Sequence, residues 1–194
     1  MTVLSLRLPF SSLGREITIA LEGIYAAGEA ILEVYKGDFV TLLKAQQEPV
    51  TQADLRSNTI LLAALAKTNI PVLSEETHDS GKRLEHSRVW IIDPLDGTKE
   101  FIQKNDEFVI MVALVENNVP LVGIVYQPTT GLLYLAQKGQ GVFEKIEKGW
   151  KRLSVSKVDA LNQARAVLSK SHLKEKDKLF MENIAVTEIG RAHV

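Results

Sequence analysis

Hydrophobic positions in the first third of the chain recur at helical spacing. Between residues 16 and 35 the apolar side chains fall three, four or seven positions apart, which predicts an amphipathic helix. Gly23 and Gly28 lie inside this stretch and lower its intrinsic helix propensity. The polar segment 46–50 is interpreted as a loop, and a second helix with its own apolar stripe is predicted over 51–67.

From Pro71 onwards the pattern changes to short apolar, β-branched runs separated by turn residues. Two of these runs, 108–116 and 119–126, are joined by Asn117-Asn118, which is typical of a β-hairpin. Further strands are predicted over 72–74, 89–92, 132–136, 142–145, 150–155, 166–168 and 184–189, and a charged helix over 172–182. Helices followed by a mostly antiparallel sheet predict an α/β class fold, an α+β layered sandwich.

Composition narrows the class of protein further. The chain has 194 residues, a net charge of −1 and no cysteine, which argues against a broad nucleic-acid-binding surface and excludes thiolate metal sites and thiol catalysis. The longest apolar run, 108–115, is far shorter than the ~20 residues of a membrane span. We therefore expect a cytoplasmic globular protein. Residues 1–15 form a leader of unclear role that could alternatively touch the inner membrane surface peripherally.

The richest candidate chemistry follows the apolar run that ends at Asp93. Pro94 ends that predicted strand, Asp96 comes three positions after Asp93, and Gly97 permits a tight turn before a short helix that Thr98 opens and that is predicted to run through Lys104. This arrangement could direct two carboxylates and the carbonyl oxygen of Leu95 into one volume. Such hard oxygen ligands suit Mg²⁺. The alternative is an ordinary turn, since Asp-Pro and Asp-Gly are common turn dipeptides.

Two further acidic segments have similar alternatives. Glu75 and Glu76 follow a short apolar run, so Glu75 joins Asp93 if the two strands are neighbours; the alternative is a solvated acidic loop. Thr51 and Asp54 have the spacing of a helix capping box, which by itself explains that carboxylate.

Together these segments resemble the inositol monophosphatase superfamily of magnesium-dependent, lithium-sensitive phosphatases. The resemblance rests on the sequences PVTQAD, LSEE and WIIDPLDGTKEF, which occur in the order of that family. The Lys-Glu-Phe after Gly-Thr is similar to the CysQ type of 3'(2'),5'-bisphosphate nucleotidase. The resemblance covers about residues 21–189 and implies an inositol monophosphatase/fructose-bisphosphatase-like fold.

The resemblance also implies roles for individual residues. The implied Mg²⁺ ligands are Glu75, Asp93, Asp96 and the Leu95 carbonyl. The implied catalytic residues are Asp54, Thr98 and Glu75, which position and activate the attacking water. The implied contacts to the scissile phosphate are Gly97, Thr98 and, near the site, Lys44.

The end of the chain departs from the family pattern. The family carries a further Trp-Asp segment with one more metal-binding carboxylate, and neither Trp90 nor Trp150 precedes an Asp here. We therefore expect residues 16–190 to form an incomplete phosphatase domain without the C-terminal layers of the fold. Residues 191–194 are interpreted as a non-native tail.

The expected activity is hydrolysis of the 3'-phosphate of adenosine 3',5'-bisphosphate to AMP and phosphate, a step associated with sulfur metabolism. The alternatives are an inositol- or sugar-phosphate phosphatase and an inactive truncated remnant. The expected partner is a small-molecule nucleotide bisphosphate, not a nucleic acid polymer. The sequence carries no signal for the oligomeric state.

Overall fold

A computed structural model describes residues 8–10, 12–37, 39, 41–43, 49–168, 174–183 and 188–191. The chain divides into two compact units, Met1–Leu153 and Ser154–Val194. Within the described residues, no helix combines the length and the apolar character that are needed to cross a bilayer.

A seven-stranded sheet forms the centre of the first unit, in the strand order β3-β4-β5-β6-β7-β8-β9. β3 and β4 are parallel, and each later strand is antiparallel to the one before it, so the prediction of a mostly antiparallel sheet is confirmed. The strands are β3 (Val72–Ser74), β4 (Arg88–Asp96), β5 (Val109–Glu116), β6 (Val119–Gln127), β7 (Leu132–Gln137), β8 (Gly141–Ile146) and β9 (Gly149–Leu153).

Two helices cover one face of this sheet. They are α1 (Gly14–Lys36) and α2 (Gln52–Leu65), close to the predicted bounds. α1 packs on β5 and β6, and α2 packs on β4. Alternate strand residues fill the core beneath them, as the period of two in a strand requires. The inward-facing residues include Trp90, Ile92, Ile110, Val112, Leu114, Ile124 and Leu135.

The leader contributes to this core. Phe10 is buried and meets the ring of Phe143 edge to face, with 5.2 Å between the ring centroids. Leu8 and Leu13 pack against the same cluster. The described end of the leader is thus part of the core, and residues 1–7 lie outside the described part of the chain.

The structure corrects three local predictions. Residues 46–50 are not wholly a loop, because Pro49–Thr51 forms β2 and pairs antiparallel with β1 (Thr41–Leu43). Pro94 does not end β4: the strand continues to Asp96 across a register shift, at which the missing proline N–H interrupts no regular ladder. The helix after Gly97, α3 (Thr98–Ile102), ends before residue 104.

The second unit is a small parallel pair. β10 (Arg165–Leu168) pairs with β11 (Glu188–Arg191), and α4 (Glu175–Asn183) lies between them in sequence. A helical connection is the usual link between parallel strands. Arg191, expected to begin a non-native tail, is the last residue of β11, and its Cα partner there is Leu168.

Candidate active site

The parallel pairing of β3 with β4 brings two acidic segments to one edge of the sheet. Ser74 is the partner of Ile92, and the next backbone N–H, that of Glu75, donates to the Ile92 carbonyl oxygen at 3.3 Å. Glu75, which directly follows β3, therefore lies beside Asp93 of β4. The condition on which Glu75 joins Asp93, that the two strands are neighbours, is met. Glu75 itself is exposed and lies in the turn that follows β3.

The turn after β4 is held by its own side chains and by glycine. The carboxylate of Asp93 accepts the backbone N–H of Leu95 at 3.1 Å. Gly97 has φ +93°, and a Cβ there would lie 2.8 Å from the carbonyl oxygen of Glu107. Only glycine therefore fits without displacing backbone, and the turn places Asp96 beside Asp93.

The carboxyl groups at this edge perturb one another. Burial raises the pKa of Asp93 to about 7, and the nearby charges of Glu75 and Asp96 add to the effect. The pKa of Asp96 is also raised, first by burial and then by the charges of Glu75 and Glu100. Like charges that share a partly buried volume disfavour ionisation, and a bound cation would relieve that repulsion.

The donor set fits a hard divalent cation. Carboxylate and carbonyl oxygens are the ligands that Mg²⁺ prefers, and every predicted ligand in this turn is of that kind. Among the described residues, no three His, Cys, Asp or Glu side chains form a preformed metal-binding group. Instead Glu75 and Asp93 are hydrogen-bonded to each other, and the Leu95 carbonyl accepts the Thr98 hydroxyl at 3.3 Å. Two of the predicted ligands are thus hydrogen-bonded to each other, and a third, the Leu95 carbonyl oxygen, is hydrogen-bonded to Thr98.

Asp54 links α2 to the same turn. One of its oxygens, Oδ2, accepts the Thr51 backbone N–H at 2.7 Å and the Thr51 hydroxyl at 2.6 Å, which completes the predicted capping box. Its other oxygen, Oδ1, accepts the Thr98 hydroxyl at 3.0 Å. The structure thus brings Asp54 and Thr98 together across 44 positions of sequence. The capping role does not exclude the catalytic one.

One predicted site residue lies outside the described part of the chain, and two buried residues beside the site were not predicted. Lys44 lies outside the described residues. Sequence reasoning missed Ser57 and Asn58, which are buried and bonded to the site segments. The sequence feature that indicates these two residues is their polar character three and four positions after Asp54, which places all three on one face of the helix.

The layered fold and the acidic residues at one edge of its sheet define the class of the protein as an α/β fold with a cluster of oxygen donors. The family model for the inositol monophosphatase family matches residues 14–188. The chain belongs to that family.

Individual relatives agree with this assignment. The chain is 37% identical to the 3'(2'),5'-bisphosphate nucleotidase CysQ of Shigella flexneri, covering 84% of this chain and 68% of the relative. CysQ of Escherichia coli K12 is 36% identical over the same shares.

Solved structures have the same fold. CysQ from Bacteroides thetaiotaomicron superposes with a TM-score of 0.75 at 31% identity, covering 93% of this chain and 72% of that one. An inositol monophosphatase from Thermotoga maritima has a TM-score of 0.78 at 21% identity and supports the fold alone.

Proposed function

We propose that this protein is a magnesium-dependent 3'(2'),5'-bisphosphate nucleotidase, which hydrolyses the 3'-phosphate of adenosine 3',5'-bisphosphate to AMP and phosphate. One observation carries the proposal: Glu75, Asp93 and Asp96 meet at one sheet edge beside the Asp54–Thr98 hydrogen bond. The resemblance to CysQ proteins supports this substrate. The metal-free arrangement of like charges would repel a phosphate dianion, so catalysis at this edge requires a cation.

In this proposal Mg²⁺ is held by Glu75, Asp93, Asp96 and the carbonyl oxygen of Leu95. When bound, it supplies charge neutralisation of the phosphate and a lower pKa of bound water. A relative described as an IMPase/NADP phosphatase has been solved with Mg²⁺ and phosphate, at 19% identity. In the present chain the donor chemistry and the mutual repulsion of the carboxylates support the same ion.

Asp54 and Thr98 orient the attacking water. Two donors from Thr51 fix the Asp54 carboxylate. Its remaining oxygen is the nearer of two acceptors for the single proton of the Thr98 hydroxyl, at 3.0 Å against 3.3 Å for the Leu95 carbonyl. The Thr98 oxygen then has lone pairs left to accept a hydrogen bond from water. Glu75 accepts the water's other hydrogen, so an oxygen lone pair is directed at phosphorus. The backbone of Gly97 and Thr98 contacts the scissile phosphate.

The test is phosphate release from adenosine 3',5'-bisphosphate and from inositol 1-phosphate, with Mg²⁺ and with a chelator. We expect faster release from the bisphosphate, and only with Mg²⁺. Asp96→Asn should lower the rate by about a thousandfold or more, because it removes a charged oxygen ligand. Asp159→Asn is the matched control, since Asp159 is exposed and lies in the second unit.

Three results would contradict the proposal. Full activity in Asp96→Asn would overturn the site assignment. Preference for inositol 1-phosphate would favour an inositol- or sugar-phosphate phosphatase. No turnover of any phosphomonoester in excess Mg²⁺ would favour the inactive remnant.

A further inference from the structure

One buried face of α2 is polar, and each of its side chains reaches a segment of the site. Asp54, Ser57 and Asn58 lie at helical spacing and are at most 8% exposed. Asp54 holds Thr98, and the Ser57 hydroxyl donates to the carbonyl oxygen of Pro94 at 2.7 Å. Asn58 binds the other acidic segment. α2 therefore forms hydrogen bonds to both of the chain segments that carry the site carboxylates, the turn after β3 and the end of β4 with the turn that follows it.

Asn58 forms hydrogen bonds to both ends of the turn that carries Glu75. Its Oδ1 accepts the Ser74 hydroxyl at 2.7 Å, and its Nδ2 donates to the Thr77 hydroxyl oxygen at 3.0 Å. Ser74 immediately precedes Glu75, and Thr77 follows it by two positions. The Ser74 hydroxyl oxygen also accepts the backbone N–H of Glu76 at 3.2 Å. The amide thus constrains a four-residue turn at its two ends.

A buried amide is costly unless both of its ends are bonded, and an apolar residue would pack the same helix face at no such cost. Here both ends are bonded, and both partners belong to the turn. The backbone of Glu75 is tied separately to β4 at Ile92. With Asn58 in place, the turn is held against α2 as well as against β4. The direction in which Glu75 leaves the sheet is therefore set from two elements.

We propose that Asn58 is a positioning residue, which sets the place of Glu75 relative to Asp93 and thereby the affinity of the site for a divalent cation. The inference rests on the proposed function for its catalytic readout, and on cation binding alone for its second readout. Residues that orient metal ligands typically contribute roughly 10- to 100-fold to metal affinity or activity. Asn58 acts through the turn, and its own amide is occupied by Ser74 and Thr77.

The chain offers a control for the loss of buried hydrogen bonds. Thr68, just beyond the other end of α2, is buried; its hydroxyl donates to the Leu65 carbonyl oxygen at 2.6 Å and accepts the indole N–H of Trp90 at 3.0 Å and the backbone N–H of Ile70 at 3.3 Å. Thr68→Val removes these bonds without touching the site. It should lower the free energy of unfolding and leave the cation dependence of the protein unchanged.

The experiment measures the Mg²⁺ concentration for half-maximal phosphate release, together with kcat at saturating Mg²⁺. For Asn58→Ala we expect the half-saturating concentration to rise about tenfold, with a smaller change in kcat. Thr68→Val should match wild type in both. Equal half-saturation in Asn58→Ala and wild type would overturn the inference, as would an equal rise in Thr68→Val.

A milder pair of variants guards against failure to fold. Thr77 is exposed, so Thr77→Val is tolerated by the core while it removes the hydroxyl that Asn58 binds, and Thr77→Ser keeps that hydroxyl. We expect a several-fold rise in half-saturation for Thr77→Val and wild-type behaviour for Thr77→Ser. Identical half-saturation in the two variants would contradict the inference.

Calorimetric titration with Mn²⁺ separates this inference from the proposed function. If the wild type releases no phosphate, the function fails, but weaker Mn²⁺ binding in Asn58→Ala than in Thr68→Val still supports the positioning role. If the wild type binds no Mn²⁺, or if both variants bind it equally, the positioning role is overturned.

Discussion

Asp54 uses its two carboxylate oxygens for two different tasks. Oδ2 caps α2 by accepting both donors of Thr51, and Oδ1 accepts the hydroxyl of Thr98. The capping bonds hold the carboxylate in one rotamer, so the second oxygen points at α3 with little freedom. The helix cap therefore also orients the carboxylate to which we assign a catalytic role under the proposed function.

Substitutions of Thr98 test whether the hydroxyl that binds Asp54 is needed for activity. Thr98→Val keeps the shape of the side chain and removes the hydroxyl that binds Asp54 and, in the proposed mechanism, also binds the attacking water. We expect kcat to fall about a hundredfold or more, within the usual range for loss of proton-transfer help. Thr98→Ser, which keeps the hydroxyl, should retain most of the activity. Equal loss in both variants, measured by steady-state phosphate release, would argue for a packing role instead.

Asp93 makes metal-free stability depend on pH. Its folded-state pKa is about 7, above the ordinary 3.8, so the folded protein binds a proton more tightly than the unfolded chain. Below about pH 4 the Asp93 carboxyl is protonated in both states and does not change the free energy of unfolding. As the pH rises from about 4 to 7 the free energy of unfolding falls, and above pH 7 it stays lower by a constant amount. In chelator, Asp93→Asn should match wild type at pH 4 and melt a few degrees higher at pH 8.

Thermal unfolding at both pH values checks this prediction, with Asp159→Asn as the control for loss of a surface carboxylate. A constant difference in Tm between Asp93→Asn and wild type across the pH range would show that ionisation of the partly buried Asp93 carboxyl is not the cause. Under the proposed function, added Mg²⁺ should reverse the order at pH 8, because it would bind and stabilise only the protein that keeps the proposed ligands.

At the scale of elements, glycine in α1 marks close packing. A Cβ at Gly23 would lie 2.8 Å from the Cβ of Ala64 in α2, and a Cβ at Gly28 would lie 2.6 Å from the ring of Tyr126 in β6. The two glycines lower helix propensity, yet they let α1 approach both α2 and the sheet. Tertiary packing outweighs local propensity here.

Gly28→Ala should therefore destabilise the protein, although alanine favours a helix by about 1 kcal/mol over glycine. The Tyr126 ring must move, and overpacking of this kind costs about 1–3 kcal/mol. Gly14→Ala, in the same helix, meets only an ordinary contact of 3.9 Å with Leu8 and should be neutral or stabilising. Urea unfolding of the two variants measures the difference; a gain of stability in Gly28→Ala would contradict the packing argument.

At the scale of the whole molecule, the chain consists of two compact units that meet in sequence at residues 153 and 154. Residues 154–159 are exposed and belong to no helix or strand. Exposed irregular segments are the preferred sites of proteolytic cleavage, because a protease must bind several residues in extended form.

Limited digestion with trypsin should consequently cut after Lys157 and leave a resistant fragment that contains the first unit. Mass spectrometry identifies the fragment. Lys157→Gln should remove this cut and leave the other early products unchanged. Early cleavage inside the sheet of the first unit, at the same rate as at Lys157, would contradict the division.

Much of the local structure was predictable. The helical period located α1 and α2, and Asn117-Asn118 located the β5–β6 hairpin, whose two turn residues have positive φ as such turns require. Pro94 was predicted to end β4, because proline usually ends a strand. A register shift at this position leaves the missing N–H of the proline without consequence, so the strand continues. Pro49 was misread for a related reason, since a short strand can begin at a proline.

The sequence by itself determined the two long helices, most of the strands, the capping box and the acidic segments, because each depends on residues only a few positions apart. Only the tertiary structure decided that β3 lies parallel to β4, that Asp54 meets Thr98, and that Asn58 holds the turn of Glu75. Those contacts join residues 16 to 44 positions apart, and their partners are chosen by how the helices pack on the sheet. A polar residue on a helix face shows that it needs a partner, and the fold determines which partner it finds.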